Sequence, residues 1–138
     1  MTDHPLAAVF AGRAPAGVLS WPAAFPAERA LEAAREAGWE AADLDLAEVS
    51  DKAGLMTACA TAMRFPDHFG SNWDALADCL GDLAWWPASR GRLLLVRNWQ
   101  AYAAARPAEW NTLQEIFADA AASWRETETG LAVVMVLA

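Results

Sequence analysis

Three aspartates stand one helical turn apart in the segment FPDHFGSNWDALADCLGD, residues 65–82. They are Asp74, Asp78 and Asp82, and no lysine or arginine occurs in residues 65–89. In an isolated helix, carboxylates at this spacing repel one another by roughly a few tenths of a kcal/mol per pair. They could serve acid–base catalysis, coordination of a cation, or attraction of a basic partner.

The pattern around these aspartates predicts an amphipathic helix over about residues 71–83. At 3.6 residues per turn, Trp73, Leu76 and Leu80 fall on one side, and the three aspartates fall almost opposite. We call these three aspartates the acidic ridge. One face of the helix is expected to pack against a core while the ridge faces the other way.

The start of this helix offers local explanations for some of its polar residues. Ser71 followed by Asp74 fits a capping box, in which the two side chains satisfy free backbone N–H groups. Gly70 is expected at positive φ in the preceding turn, and Asn72 suits a local cap or an Asx-type hydrogen bond. Capping of this kind is compatible with binding a partner.

The end of the helix leaves one aspartate without such an explanation. Gly81 is expected to end the helix, which would make Asp82 a solvated turn residue. Asp78 lies in mid-helix, where neither a cap nor the helix dipole favours a carboxylate. Simple solvation of the polar face explains Asp78 as well as binding does, so the pattern leaves both open.

An enzymatic site is a weaker interpretation of the same segment. His68 beside Asp67 could act as an acid or base, but no serine or cysteine nucleophile stands in a recognisable relation to it. Asp67, His68, Asp74 and Asp78 could ligate a metal, yet no DxD, HxH or HExxH element accompanies them. We therefore expect no catalytic residue, no cofactor and no metal, with a metal-dependent hydrolase as the alternative.

Composition and charge narrow the class of partner. The chain has 138 residues, enough for one domain, and a net charge of −8. A basic stripe that could bind phosphates is missing, so nucleic acid is a poor direct partner and a basic protein is favoured. The sequence shows no apolar stretch of membrane-spanning length and no secretory signal pattern, which predicts a cytoplasmic protein without membrane contact.

Cysteine and tryptophan are both expected to serve packing. Cys59 and Cys79 lie in helical patterns without metal-binding or CxxC spacing, which predicts reduced, packed thiols. The eight tryptophans are scattered along the chain. They are therefore expected in the core or half-buried, rather than grouped in an aromatic cage.

Short apolar runs alternate with helical patterns along the chain. Strands are predicted at 16–20, 42–49, 92–96 and 131–137, and helices at about 25–38, 50–65, 71–83, 99–105 and 108–124. The last two strands are continuous aliphatic runs, which is typical of parallel strands covered on both faces. The order predicts a small α/β sandwich of two or three layers with a parallel sheet of three to four strands.

The run PDHFGSNWDALADCL, residues 66–80, resembles the helix-bearing signature of barstar, the intracellular inhibitor of a secreted bacterial ribonuclease. A looser resemblance extends over residues 41–138, which would form the family-like core. Residues 1–40 have no counterpart and are expected to add a strand and a helix, packed on the core within one domain of residues 1–138. The shared elements are the leading proline, Phe69-Gly70, Asn72, Asp74-Ala75-Leu76 and Asp78-Cys79-Leu80.

The resemblance implies a monomeric protein that blocks a basic ribonuclease or related toxin, giving the cell immunity to it. In that family the acidic helix and the preceding loop enter the cationic active site of the enzyme. Asp78 matches the principal anchor and Asp74 a second acidic contact. Asn72 matches a loop residue that helps position the contact, and Asp119 falls near an acidic contact of a later helix.

Two departures from the family pattern bear on the target. His68 stands where the family loop carries a tyrosine, and Ala77 stands where it carries a tryptophan before the anchor aspartate. Aromatic anchors often dominate the energy of an interface. These departures favour a related but different basic target. An interaction module for a non-enzymatic basic protein is the further alternative.

Overall fold

A computed structural model describes residues 6–137 of the chain. Within that range, helices and strands follow the predicted order β α β α α β α α β, preceded by one helical turn that the sequence did not predict because four residues are too few to show a period. In chain order the elements are α1 (Ala7–Phe10), β1 (Val18–Trp21), α2 (Glu28–Glu36), β2 (Glu40–Asp45), α3 (Lys52–Met63), α4 (Trp73–Asp82), β3 (Gly91–Arg97), α5 (Gln100–Ala105), α6 (Pro107–Trp124) and β4 (Gly130–Val136).

The strands form a single parallel sheet in the order β1-β4-β3-β2. The central strands β3 and β4 are buried on both faces along most of their length, which explains why their sequences are continuous aliphatic runs. After β1 the chain crosses the whole sheet to place β2 at the opposite edge. The predicted α/β fold with a parallel sheet of three to four strands is confirmed.

Helices cover both faces of this sheet. Leu94 and Val96 of β3 belong to a core that includes residues of α3, α4, α5 and α6. Leu93 and Leu95, which point the other way, pack with residues of α1 and α2. The sandwich therefore has three layers, and α4 lies in the layer opposite α1 and α2.

The second strand differs from its prediction at both ends. It was predicted at 42–49, but it spans Glu40–Asp45. The Asp45 carboxylate accepts a hydrogen bond from the Ala47 N–H at 3.0 Å, and this side-chain turn ends the strand. The alternation of apolar residues continues into the turn because Leu46 is still buried there, at 2% exposure.

The tryptophans pack as predicted: each is buried or half-buried. Four of them also donate the indole N–H to a backbone carbonyl, which fixes the ring orientation. These bonds join Trp21 to Pro26, Trp85 to Met63, Trp99 to Val136, and Trp124 to Leu80.

Candidate interface on the acidic helix

Asn72, rather than Ser71, caps the start of α4. The Asn72 side-chain oxygen accepts a hydrogen bond from the Ala75 N–H at 2.8 Å, which confirms its local capping role. The predicted capping box of Ser71 with Asp74 is wrong, because Ser71 precedes the cap and adopts a left-handed φ of 55°. Gly70 does not have the predicted positive φ. A Cβ there would lie 3.3 Å from Asn72 Nδ2, so a larger residue would press on the side chain that caps α4.

The two faces of α4 divide as predicted. Leu76 and Leu80 are completely buried, each at 0% exposure, in the core between α4 and the sheet. Trp73 is half-buried at the margin of the same core. The acidic ridge is exposed along its whole length. Burial of one face therefore holds the ridge in a fixed orientation toward solvent.

No ion pair among the described residues neutralises the charge of the acidic ridge. Within residues 6–137 the ion pairs lie on α2, at the ends of β2 and β3, and at the start of α6, and none includes a ridge carboxylate. The Lys52 ammonium lies over the Trp73 ring instead, 5.3 Å from its centroid. The ridge can therefore attract an external cation.

The end of α4 is set by Leu83. The helix continues through Gly81 and Asp82, and Leu83 takes the left-handed conformation with φ 51°. The prediction that Gly81 ends the helix is wrong, and Asp82 lies in the last helical turn. A left-handed conformation costs a leucine about 1–2 kcal/mol, and the complete burial of the Leu83 side chain offsets this cost.

We expect Gly81→Ala to stabilise the protein by about 0.5–1 kcal/mol, because it removes the entropic cost of an exposed glycine inside a helix. A Cβ at Gly81 would meet nothing within 4 Å. Urea denaturation measures the free energy of unfolding. The control is Gly38→Ala, which should destabilise, since Gly38 has φ +81° and its added Cβ would lie 3.1 Å from Arg90 Cδ. Destabilisation by Gly81→Ala would contradict the helical assignment of this position.

A buried arginine holds the C-terminal end of α4. Arg92 is 5% exposed, and it donates hydrogen bonds from Nε to the Trp86 carbonyl at 2.7 Å and from Nη2 to the Leu83 carbonyl at 3.3 Å. Its Cζ lies 4.6 Å from the centroid of the Trp124 ring. Burial lowers the pKa of Arg92, and the charge of Glu40 partly opposes this. A cation at this end of a helix also interacts favourably with the helix dipole.

Sequence analysis did not single out Arg92. The available signal was a charged residue at the start of an apolar strand that was itself predicted to be covered on both faces. Such a residue needs buried hydrogen-bond acceptors, and here the carbonyls at the end of α4 supply them.

Each predicted contact residue is exposed. Two lie in the segment that precedes α4, three on α4 itself, and one on α6, which packs against α4. Exposure is what contact with a partner requires. The residues are His68, Asn72, Asp74, Ala77, Asp78 and Asp119.

A hollow of about 330 Å³ opens beside α4, and we call it the α4 hollow. It lies between the helix, the loop before it and the segment after it. Its polar lining comes from His68, Asp78 and Asp82, and most of its apolar lining comes from Phe69, Cys79 and Trp85.

The α4 hollow brings together predicted contact residues and residues that the sequence analysis did not assign to a site. His68 and Asp78 were predicted as contact residues and both line it. Asp82 and Trp85 were missed as site residues, the first because it was expected in a solvated turn. The spacing of four residues between Asp78 and Asp82 was the one signal for Asp82.

Both cysteines are free and buried, as predicted. Burial raises the pKa of the Cys59 thiol to about 12. The pKa of Cys79 is raised by burial and further by the charges of Asp78 and Asp82. The thiol that lines the α4 hollow is therefore kept in its protonated form by burial and by two nearby carboxylates.

The metal interpretation gains no support from the geometry. Across the part of the chain that the structure describes, no three histidine, cysteine, aspartate or glutamate side chains converge in a way that could hold a metal ion. The hypothesised set of Asp67, His68, Asp74 and Asp78 is therefore not assembled as a metal site.

Comparison with known proteins gives one family match. The family described as Barstar (barnase inhibitor) matches residues 39–136. The match includes β2, β3, β4 and the α4 hollow, and it leaves α1, β1 and α2 outside. No curated protein matches the chain. Among residues 6–137, the helices are too short or too polar to cross a membrane.

Proposed function

The chain belongs to the barstar family, and from this premise we propose that it inhibits a basic ribonuclease or a related toxin. In this proposal α4 and the preceding loop, residues 65–72, enter the cationic active site of the enzyme. The family description, an inhibitor of barnase, supports an inhibitory rather than an enzymatic role. Inhibition of this kind needs a complementary surface and no cofactor.

The observation that carries the proposal is the acidic ridge, which is exposed and forms no ion pair within residues 6–137, on a helix whose other face is firmly packed. Active sites that cleave RNA must accommodate phosphate charges, so they present cations to any anion of suitable shape. Asp78, in mid-helix, would be the main anchor, with Asp74 one turn earlier. Because α4 is held by Leu76, Leu80 and Arg92, the carboxylates need little further ordering on binding.

The remaining predicted residues have supporting roles in this proposal. Asn72 caps α4 and so fixes the direction in which the helix begins. His68 lies in the loop that would line the edge of the contact, and Asp119 on α6 would add a second acidic contact. Ala77 presents only a methyl group beside Asp78. A basic target that is related to barnase but different from it is therefore favoured.

The setting follows from the charge and the family. A net charge of −8 repels RNA, so the protein would act on the enzyme and not on its substrate. We place it in the cytoplasm as a monomer that protects its cell from a toxic ribonuclease. One copy would occupy one active site.

An RNA-cleavage assay tests this function. Barnase and a panel of other basic bacterial ribonucleases are each titrated with the purified protein, and cleavage of a fluorogenic RNA is followed. We expect cleavage by at least one enzyme to fall to zero at a molar ratio of about one. Bound enzyme that keeps its activity would indicate an interaction module instead of an inhibitor. A lack of binding across the panel would contradict the proposal.

The association rate should fall with salt. Steered association of oppositely charged proteins is faster than neutral association by about two or more orders of magnitude at low ionic strength, and salt screens this advantage. Stopped-flow mixing with the inhibited ribonuclease, from low salt to about 0.5 M NaCl, measures the rate. The dissociation rate should change far less. An association rate independent of salt would contradict electrostatic attraction by the acidic ridge.

A further inference from the structure

The C-terminal end of α4 is tied to two other elements by side-chain hydrogen bonds. The Leu80 carbonyl accepts the Trp124 indole N–H at 2.7 Å, from the end of α6. The Leu83 carbonyl accepts a hydrogen bond from Arg92 Nη2 at 3.3 Å, from the start of β3. The carbonyls at the end of a helix have no partner within it, so donors of this kind decide whether the final turn stays ordered.

Arg92 links these two contacts. Its guanidinium carbon lies 4.6 Å from the centroid of the Trp124 ring, and its Nε donates to the Trp86 carbonyl at 2.7 Å. One side chain therefore contacts α6, the end of α4 and the segment that follows it. Because α4 carries Asp78 and α6 carries Asp119, the same contacts help to set the spacing between these two acidic residues.

The burial of Arg92 is energetically unfavourable. Its Nη1 is buried without a hydrogen-bond partner among the described residues, and Arg92 forms no ion pair within residues 6–137. Burial also lowers the pKa of Arg92, which shows that the charged form is incompletely compensated. Replacing buried charged groups by apolar side chains of similar volume is often neutral or stabilising. Stability alone therefore does not account for an arginine at this position.

The backbone after α4 is the part that the Arg92 contact restrains. Leu83 has a left-handed φ of 51°, a conformation that leucine rarely adopts. Its carbonyl accepts hydrogen bonds both from the Trp86 N–H at 3.0 Å and from Arg92 Nη2. Loss of the arginine would leave only the first of these two bonds, and the turn after Asp82 could then relax.

We infer that Arg92 is a positioning residue for inhibition, which orders the C-terminal half of α4 and so fixes the direction of Asp78. In this role Arg92 acts through α4 and does not contact the partner. The inference deepens the proposed function and rests on it for the binding step. It predicts that Arg92 contributes to the affinity of the complex and not to the stability of the free protein.

Amide hydrogen exchange, followed by NMR, tests the ordering of α4 without a partner. In Arg92→Met an unbranched apolar side chain can still pack against the Trp124 ring, but it has no donor for the carbonyls. We expect the Leu83 and Trp86 N–H groups to exchange about three- to tenfold faster than in the wild type, the effect of losing one hydrogen bond. The Leu76 N–H, near the start of α4, should exchange at the wild-type rate. Wild-type exchange at Leu83 and Trp86 would overturn the inference.

Dissociation from the inhibited ribonuclease tests the effect on binding. We expect Arg92→Met to raise the dissociation rate by about three- to tenfold, while its thermal midpoint of unfolding stays at or above that of the wild type. Val134→Ala is the control for stability, because it removes methyl groups from the core on the opposite face of the sheet. It should lower the midpoint and leave the dissociation rate unchanged. Arg90→Gln is the control for charge, since it removes an exposed cation just before β3, and it should also leave the dissociation rate unchanged.

The two controls decide how the results are interpreted. Failure of Arg92→Met to fold, or a lowered midpoint with wild-type dissociation, would make Arg92 purely structural and overturn the inference. An equal rise of the dissociation rate in Arg90→Gln would make it an effect of charge and overturn the inference as well. If the midpoint of Arg92→Met falls, its faster dissociation supports the inference only where Val134→Ala, at an equal or lower midpoint, dissociates as the wild type does; otherwise the inference is overturned.

The proposed function and this inference can fail separately. Inhibition of a ribonuclease with equal dissociation rates for the wild type and Arg92→Met would remove only the inference. Faster exchange at the end of α4 in Arg92→Met, without inhibition of any ribonuclease in the panel, would remove the proposed function and leave the ordering of α4 by Arg92 in place.

Discussion

Asp78→Asn should weaken binding to the inhibited ribonuclease by roughly 30-fold to several thousand-fold and leave the stability of the free protein almost unchanged. Binding buries an ion pair away from water, and removing one of its two charges costs about 2–5 kcal/mol of binding free energy. Measurements on barnase and its inhibitor themselves contributed to this range. The free protein loses nothing comparable, because Asp78 is exposed and forms no ion pair among residues 6–137. Relief of repulsion from Asp74 and Asp82 should add about 0.2–0.5 kcal/mol to the stability of the free protein.

Affinity is measured by titrating ribonuclease activity with the wild type and with the variant. Stability is measured by thermal unfolding of the same two forms of the inhibitor. Glu36→Gln is the matched control, since it removes one negative charge from an exposed site on α2, on the opposite face of the sheet from α4. We expect this control to change the affinity less than threefold, because salt screens the attraction between this distant charge and the partner. Comparable losses in the two variants would show that net charge, and not the position of Asp78, governs binding.

The arrangement of α4 could be predicted because it depends on a local period. Leu76 and Leu80 recur at helical spacing, and the aspartates recur at the same spacing on the other side, so the sequence alone separates a buried face from an exposed one. The strands β3 and β4 were predictable for a similar reason. A short, continuous aliphatic run is typical of a parallel strand that is buried on both faces.

The ends of α4 could not be predicted in the same way. Local preference predicted a positive φ at Gly70 and the end of the helix at Gly81. In the structure, Ser71 and Leu83 adopt the left-handed conformation instead. Leu83 adopts its unfavourable φ because the core buries its side chain, and that burial is a tertiary effect. A prediction based on local propensity does not include the effect of tertiary burial.

The α4 hollow and the Arg92 contacts depend on how separate elements pack against one another. The hollow requires Phe65 to lie between Phe69 and Trp85, and Arg92 requires the carbonyls that follow α4 to face the start of β3. A pattern along one segment contains no information on such neighbours. The family resemblance predicted the exposed contact residues but not this concave surface between them.

The N-terminal extension covers a face of the sheet that the family-matched segment would otherwise leave open. Leu93, Leu95 and Val134 lie within residues 39–136, yet on this face they pack with side chains from outside that range. Trp21 is the largest of these, and it is completely buried at 0% exposure. The prediction that the extension and the core form one domain therefore has a direct thermodynamic consequence.

Trp21→Ala should lower the free energy of unfolding of the whole protein by about 3–5 kcal/mol, the usual cost of deleting a buried tryptophan. Unfolding should stay a single transition when it is followed by far-UV circular dichroism and by fluorescence, because one core is shared. At 25 °C the folded variant should still inhibit the ribonuclease within about twofold, since Trp21 and α4 pack on opposite faces of the sheet.

Val18→Ala provides the control on the same strand. Val18 is 38% exposed, so its truncation should change the free energy of unfolding by about 0.5 kcal/mol or less. If Trp21→Ala abolishes an early, separate transition and leaves the main one in place, residues 1–40 fold independently of the core. Because the extension contributes β1 directly beside β4, we expect instead that the loss of Trp21 lowers the stability of the whole sheet, in one transition.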